Sequence, residues 1–221
     1  MKETGTTGET KAFTLLELLV LIALVAVIAA LLLPARVGPR KSLTVVCMAR
    51  LRQVGLAMRV FASDHSDRFP MQTSLTNGGS MEFIGTGSPA PHFQTISDYL
   101  RGDWGVLICP TDKSKQRATN NTAISDRNIS YFLSMDATNG STDIILAGDR
   151  NLETAGQPVK PGLFSLTTSA AVSWTSELHN QGRTIMGGNL LFADGHVEFA
   201  RGKLLAVIQR QNLATNRLAF P

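Results

Sequence analysis

The segment KAFTLLELLVLIALVAVIAALLL, residues 11–33 of a chain of 221, decides the fold because no other part of the sequence is as uniformly apolar. From Phe13 to Leu33, only Thr14 and Glu17 are not apolar. A helix rises about 1.5 Å per residue, so this run predicts a helix of roughly 30 Å, which matches the hydrocarbon thickness of a bilayer. The sequence therefore predicts one transmembrane helix.

Glu17 is an ionisable residue within this apolar run. A charged side chain in a membrane segment costs about 3 kcal/mol unless it is paired or lies near an interface. Glu17 comes one helical turn after Phe13, so a free amine created at Phe13 would offer its carboxylate a positive partner, in the same chain or in a neighbour. Ala12 is small and ends a polar leader, residues 1–12. The bond between Ala12 and Phe13 is therefore a candidate cleavage site, placed before the apolar segment.

The segment AFTLLE, residues 12–17, resembles the processing motif of type IV prepilins and of the pseudopilins of type II secretion systems. Ala12 stands where these families usually have Gly, and Pro34 matches their helix-kinking proline. The resemblance implies cleavage between Ala12 and Phe13 by a prepilin peptidase, followed by N-methylation of Phe13. It also implies that Glu17 acts in assembly by pairing with the Phe13 amine of a neighbouring subunit. An uncleaved signal anchor is the alternative.

The resemblance extends into the rest of the chain. CPTD at residues 109–112, SYF at 130–132 and the late run LFADGHV are similar to prepilin-like proteins with a C-terminal H-x-DG type motif, found in planctomycetes and verrucomicrobia. The corresponding residues here are His179, Asp194 and Gly195. His179 lies farther from Asp194 than in the commonest version of that motif.

These features predict an α+β, pilin-like fold, in which a long N-terminal α-helix, transmembrane in its first half, packs on a small antiparallel β-sheet head. We expect a prepilin leader at residues 1–12, a transmembrane and filament-core helix at 13–34, an amphipathic continuation at 35–64 and a globular head at 65–221. Within the continuation, apolar residues recur every three or four positions and form one stripe. The stripe consists of Cys47, Leu51, Val54, Met58 and Phe61.

The composition of the head predicts its strands and its last helix. Strands are expected at residues 81–84, 129–135 and 143–148, a buried strand or extended segment at 104–110, and an amphipathic helix at 203–212. The strands at 129–135 and 143–148 are expected to pair antiparallel.

LLFADGHVEF, residues 190–199, is expected to form a second β-hairpin, because apolar residues alternate on both sides of a turn signal. Asp194 and Gly195 suit a two-residue type I′ turn, in which both central residues have positive φ. On this interpretation the Asp-Gly motif is structural.

The two cysteines, Cys47 and Cys109, are compatible with a single disulfide in an oxidising compartment. Two free buried thiols are the alternative. The net charge is +4, and several basic residues follow the apolar segment. They are expected to meet lipid headgroups or to solvate a helix face rather than to bind nucleic acid, because no aromatic interleaving accompanies them.

The predicted function is that of a structural subunit of a type IV pilus-like filament or a type II secretion pseudopilus. The resemblance implies a single-pass inner-membrane protein with its head outside the cytoplasm, which later enters the filament. Its implied partners are other pilin-like subunits, prepilin peptidase, an inner-membrane assembly platform and membrane lipid.

No catalytic residue, metal site or cofactor is predicted, because the sequence lacks a nucleophile elbow, CxxC, HExxH and a glycine-rich phosphate loop. The alternative function is a membrane-tethered extracytoplasmic binding protein or enzyme, for which His179, Asp194 and His196 would supply the catalytic or metal-binding groups. A calcium ion in a loop of the head is a further alternative, for which the sequence identifies no ligands.

Overall fold

The computed structural model describes residues 13–32, 39–179 and 186–221 of the chain. The chain divides into two compact units, Met1–Val37 and Gly38–Pro221. The predicted leader, the cleavage residue Ala12 and the predicted kink at Pro34 lie outside the described residues.

The first helix, α1, spans Leu15–Leu32 and begins with a reciprocal capping arrangement. The Glu17 carboxylate accepts hydrogen bonds from the Thr14 backbone N–H at 2.9 Å and from the Thr14 hydroxyl at 3.0 Å. The Thr14 hydroxyl oxygen in turn accepts the Glu17 N–H at 3.3 Å. This is the capping box, which satisfies backbone donors that the first helical turn leaves unpaired. It fixes the start of α1 just after Thr14.

The predicted transmembrane segment is wrong. Among the described residues, no helix combines the length and the apolar character that crossing a membrane requires. The transmembrane first half, the single-pass inner-membrane location and the membrane tether of the alternative function are corrected accordingly.

The sheet structure is also larger than the small head that the sequence predicts. In the described residues, nine strands form a six-stranded sheet in the order β5-β9-β1-β2-β7-β8 and a three-stranded sheet in the order β4-β3-β6. All paired neighbours are antiparallel. The strands are β1 Tyr131–Ser134, β2 Ile145–Asp149, β3 Leu152–Thr154, β4 Gln157–Pro158, β5 Gly162–Thr167, β6 Val172–Trp174, β7 Gly187–Phe192, β8 Val197–Arg201 and β9 Thr215–Phe220. The α+β class holds, but the pilin-like arrangement of a transmembrane helix on a small sheet does not.

The larger sheet is buried on both faces. Tyr131 and Leu133 of β1 belong to one core, which also contains the apolar stripe from Cys47 to Phe61, whereas Phe132 between them belongs to a second core. The second core includes Trp174 of the smaller sheet and Ile208 of a late helix. Because side chains of a strand alternate between faces, a sheet covered on both sides needs apolar residues at successive positions.

The helix α2 spans Pro39–Asp64 and covers the first face. Its predicted stripe is confirmed, since all five side chains, Cys47, Leu51, Val54, Met58 and Phe61, are at most 2% exposed. Gly55 allows the close approach of α2 to β7: a Cβ atom there would lie 2.7 Å from Cδ1 of Leu191. The sheet and α2 are therefore in direct contact at β7.

Two further helices are α3, Ala90–Thr95, and α4, Leu205–Arg210. The helix predicted in the tail is confirmed by α4, and the predicted pairing of β1 with β2 is confirmed as well. The strand predicted at residues 81–84 is wrong, and so is the strand interpretation of residues 104–110. Both segments form 3₁₀ helices, Met81–Thr86 and Trp104–Leu107.

Candidate metal centre

Four side chains with metal-binding atoms meet inside the unit that contains the sheets. Cys47 lies on α2, Cys109 follows the 3₁₀ helix Trp104–Leu107, Asp149 ends β2, and His179 ends the described range 39–179. The first three side chains belong to residues that are fully buried, and His179 is 4% exposed. One ligand atom from each residue lies within 4.8 Å of the other three. Two thiols, a carboxylate and an imidazole thus share one small volume.

His179 Nε2 occupies the centre of these contacts. It lies 3.1 Å from Cys109 Sγ and 3.2 Å from Asp149 Oδ2. The Cys47 thiol donates to Asp149 Oδ1 at 3.3 Å. The carboxylate of Asp149 therefore contacts both the imidazole and the thiol on α2.

Each of the four side chains also has a polar neighbour that orients it. The Asp149 Oδ2 atom accepts the backbone N–H of Asn189 at 2.6 Å and its side-chain amide at 2.8 Å. The remaining pairs are Thr44 Oγ1 with His179 Nδ1 at 3.2 Å, Thr111 Oγ1 with Cys109 Sγ at 3.0 Å, and Tyr131 Oη with Cys47 Sγ at 3.5 Å. The positions of the four groups are thereby fixed by hydrogen bonds as well as by packing.

An ion-pair network beside the cluster joins three of its four segments. Arg150, adjacent to Asp149, donates from Nε to Asp112 Oδ2 at 2.8 Å and from Nη2 to Asp112 Oδ1 at 3.1 Å. The same guanidinium pairs with Glu177, two residues before His179. Asp112 lies three residues after Cys109 in the CPTD segment. Arg150 therefore holds together the segments that carry Cys109, Asp149 and His179.

The side chains of the cluster differ in the direction of their pKa shifts. Burial raises the pKa of Cys47 well above its usual value, and the nearby Cys109 and Asp149 add to that rise. The neighbouring Cys47 side chain lowers the pKa of Cys109 to about 6 against the opposing effect of burial, and His179 contributes to the lowering. Burial alone would lower the pKa of His179, but its hydrogen bonds to Asp149 and Cys109 raise it to about 10. The two shifts favour the thiolate of Cys109 and the imidazolium of His179.

The backbone at His179 is in the left-handed region, with φ of 52°. This conformation is uncommon for a residue with a side chain and costs about 1 kcal/mol or more. It persists here where the imidazole has four polar neighbours: Thr44, Cys109, Asp149 and Asn189.

The arrangement fits metal binding better than nucleophilic catalysis. A Cys-His pair can act as an activated nucleophile, with a third group holding the other imidazole nitrogen. Here Asp149 contacts the same nitrogen as Cys109, and Thr44 contacts the other one. The Cys109 side chain is fully buried, so its sulfur is not accessible to a substrate in this conformation. A closed metal site needs no such access.

The residues predicted from sequence belong to the start of α1, to the cluster, and to the turn between β7 and β8. Phe13 precedes α1 and is 72% exposed, and Glu17 caps that helix. Cys47, Cys109 and His179 meet in the cluster, where both cysteines are free thiols. Asp194 contacts its own neighbour His196, with Oδ1 2.6 Å from Nδ1, at the turn between β7 and β8.

The predicted hairpin is confirmed, because β7 and β8 pair antiparallel. The type I′ turn is wrong, since only Gly195 of the two turn residues has a positive φ, 94°. The Phe192 N–H donates to the His196 carbonyl at 2.9 Å, so the loop contains three residues and ends in a left-handed Gly. This is the three-residue loop that closes with a bulge at the glycine.

Sequence reasoning missed Asp149 and Asn189. Asp149 follows a β-prone run and looked like the polar residue of a turn, and no metal site was predicted. Metal sites are identified in sequences by short spacings between their ligands, such as C-x₂₋₄-C. The four residues of this cluster come from four distant segments, so no spacing marks them.

Comparison of the chain with protein-family models, with curated proteins and with solved structures gives no match.

Proposed function

We propose that the chain is a structural subunit that assembles with copies of itself, or with similar subunits, through α1 into a pilus-like filament or a secretion pseudopilus. The observation that carries the proposal is the exposure of α1. Its large apolar side chains from Leu15 to Ile28 are between 47% and 81% exposed. A helix that is apolar on all sides needs cover on all sides.

Copies of α1 supply that cover without any other partner. Each helix in a bundle of identical helices contacts neighbours on several sides, so an all-apolar surface becomes buried. Burial of apolar surface is worth about 25 cal/mol per Å², and the exposed side chains of α1 make this gain large. The resemblance of residues 12–17 to the prepilin processing motif points to the same kind of assembly.

The proposal includes processing by a prepilin peptidase between Ala12 and Phe13, with methylation of the new amine. Phe13 precedes the helix and is 72% exposed, as a substrate residue must be. Intact mass spectrometry of the assembled protein is expected to give a chain that begins at methylated Phe13. A chain that keeps residues 1–12 in the assembled form would contradict this part of the proposal.

Assembly itself is tested by charge substitution on α1. Leu24 is 59% exposed on α1, and Leu56 is 63% exposed on α2, so they form a matched pair. Leu24→Lys is expected to abolish filaments in electron micrographs, whereas Leu56→Lys is expected to leave them. Filaments formed equally well by Leu24→Lys would overturn the proposal.

A further inference from the structure

We propose that Cys47, Cys109, Asp149 and His179 bind one Zn²⁺ ion in a closed, four-coordinate site that fastens α2 to the larger sheet. This site is independent of the way in which copies of the chain assemble. Its ligands come from a helix, two loops and a strand end.

The spacing of the ligand atoms is close to that of a zinc tetrahedron. With Zn–S near 2.3 Å and Zn–N or Zn–O near 2.0 Å, tetrahedral angles place ligand atoms about 3.3 to 3.8 Å apart. Three of the contacts in the cluster are 3.1 to 3.3 Å, and all ligand atoms lie within 4.8 Å of one another. The upper limit of 4.8 Å exceeds the tetrahedral spacing by about 1 to 1.5 Å, so side-chain shifts of that order bring the four ligand atoms to the coordination distances.

A cation at the centre satisfies groups that protons satisfy poorly. His179 Nε2 faces Cys109 Sγ at 3.1 Å and Asp149 Oδ2 at 3.2 Å. A proton on Nε2 bonds well to one of these groups at a time. A metal ion accepts electron pairs from nitrogen, oxygen and both sulfurs together, and the buried atoms are then all paired.

The charges of the site balance to within one unit. Two thiolates and one carboxylate carry three negative charges, Zn²⁺ carries two positive charges, and the imidazole is neutral as a ligand. The remaining negative charge has nearby hydrogen-bond donors in the Tyr131 hydroxyl and in the backbone and amide N–H groups of Asn189. Desolvation of the bound ion is thereby offset inside the core.

The surrounding shell has the form that zinc ligands require. Thr44 Oγ1 lies 3.2 Å from Nδ1 of His179, so a proton on Nδ1 leaves Nε2 free for the metal. Asn189 occupies Asp149 Oδ2, which directs Oδ1 towards Cys47. Ligand tautomer and carboxylate orientation are both set before the metal enters.

The ligand set selects the metal and the type of site. Thiolates favour Zn²⁺ over Mg²⁺ and Ca²⁺, which take oxygen ligands. Four protein ligands leave no open position, and the cluster is buried, so the site is structural rather than catalytic. The competing chemistry for the same two sulfurs is a disulfide, which requires Cys47 and Cys109 to lose two protons and two electrons to an oxidant.

The test uses the full chain, purified without chelators from its native host. Elemental analysis is expected to find about one zinc per chain, and X-ray absorption at the zinc edge is expected to show two sulfur and two nitrogen or oxygen neighbours. Replacement of zinc by Co²⁺ is expected to give the visible spectrum of a tetrahedral thiolate complex. In the cobalt-substituted protein, Cys47→Ser should remove about half of the intensity of the sulfur-to-cobalt charge-transfer bands.

His179→Gln and Asp149→Asn are expected to weaken zinc binding by at least tenfold in a competition with a chromogenic chelator. The matched control is His92→Asn, which alters a buried histidine outside the cluster and should leave the zinc content unchanged. If the ligand variants fail to fold, the absorption spectra of the parent protein still decide the question. Metal-free protein that does not take up Zn²⁺ or Co²⁺ under reducing conditions would overturn the proposal, as would a Cys47–Cys109 disulfide or zinc bound without sulfur neighbours.

Discussion

Arg150 forms a two-pronged hydrogen-bonded ion pair with Asp112, whose side chain is only 1% exposed. Burial would raise the pKa of Asp112, but the hydrogen bonds from Arg150 and Ser114 outweigh it and lower the pKa. The paired geometry supplies both charge and direction, which a lysine could not reproduce. The pair lies beside the buried Cys-Cys-Asp-His cluster and aligns three of its segments.

Loss of Arg150 is expected to be strongly destabilising. Arg150→Met leaves the Asp112 carboxylate buried without its partner, which should lower the free energy of unfolding by about 3 kcal/mol or more. A double-mutant cycle with Asp112→Ala should give a coupling of about 2 kcal/mol from urea unfolding curves.

The exposed pair Arg117–Asp103 provides the control for this cycle. Its side chains are 63% and 61% exposed at a separation of 3.1 Å. A surface pair of this kind should give a coupling below about 0.5 kcal/mol. Equal couplings for the two pairs would mean that Arg150 does not hold the buried carboxylate.

Glu17 has two candidate roles, and one substitution separates them. In the capping box the carboxylate accepts hydrogen bonds from Thr14, a task that Gln also performs. In an assembled filament the negative charge would pair with the Phe13 amine of a neighbour. Glu17→Gln keeps the cap and removes the charge, so it should reduce filament yield about tenfold, the effect of roughly 1.4 kcal/mol per subunit contact.

The comparison variant is Glu17→Leu, which removes both the cap and the charge. It should reduce the yield further and should also lower the helix signal in circular dichroism, since a lost cap costs about 1 kcal/mol. Filament yields from Glu17→Gln that equal those of the parent would leave capping as the role of Glu17.

The elements that the sequence predicted well are those whose apolar residues recur with a regular period. The stripe from Cys47 to Phe61 has the helical period, and residues 190–199 alternate around a turn signal. The transmembrane prediction is wrong, because among the described residues no helix combines the length and the apolar character that crossing a membrane requires. β9 was missed because TNRLAF begins with polar residues and its burial depends on pairing with β1 and β5.

The cluster could be predicted only in part. Cys47 was placed on the buried stripe, and Cys109 was placed at the end of a buried segment, so their proximity was within reach of sequence reasoning. Asp149 joins them because it ends β2, which lies between β1 and β7 in the larger sheet. His179 joins them because it precedes β7, the strand that pairs with β2. Such long-range proximity depends on strand order, which local patterns do not encode.

His92 is expected to make stability depend on pH between about 4 and 6.5. The residue is fully buried, and burial lowers its pKa to about 4 from 6.5. The unfolded chain therefore binds this proton at a higher pH than the folded chain does. Stability should be unaffected by His92 above pH 6.5 and should fall as the pH drops towards 4, by about 3 kcal/mol in total.

Denaturant unfolding at a series of pH values measures the slope of the free energy of unfolding against pH. His92→Asn is the matched variant, because an amide does not titrate and can keep the contact that Nδ1 makes with Ser80 Oγ at 2.7 Å. The slope between pH 4 and 6.5 should become smaller in the variant. An unchanged slope would assign the pH dependence to other groups.

The turn between β7 and β8 should depend on Gly195 rather than on the charge of Asp194. Gly195 has φ of 94°, and an added Cβ would lie 3.2 Å from the Arg59 side chain, so Gly195→Val should lower the free energy of unfolding by about 1 kcal/mol or more. Asp194 Oδ1 accepts the His196 N–H at 3.0 Å, and the amide oxygen of Asn can accept it too, so Asp194→Asn should change stability by less than about 0.5 kcal/mol. Thermal melts of the two variants compare these effects directly. A large loss with Asp194→Asn and a small one with Gly195→Val would show that the carboxylate, through its contact with His196, holds the hairpin instead.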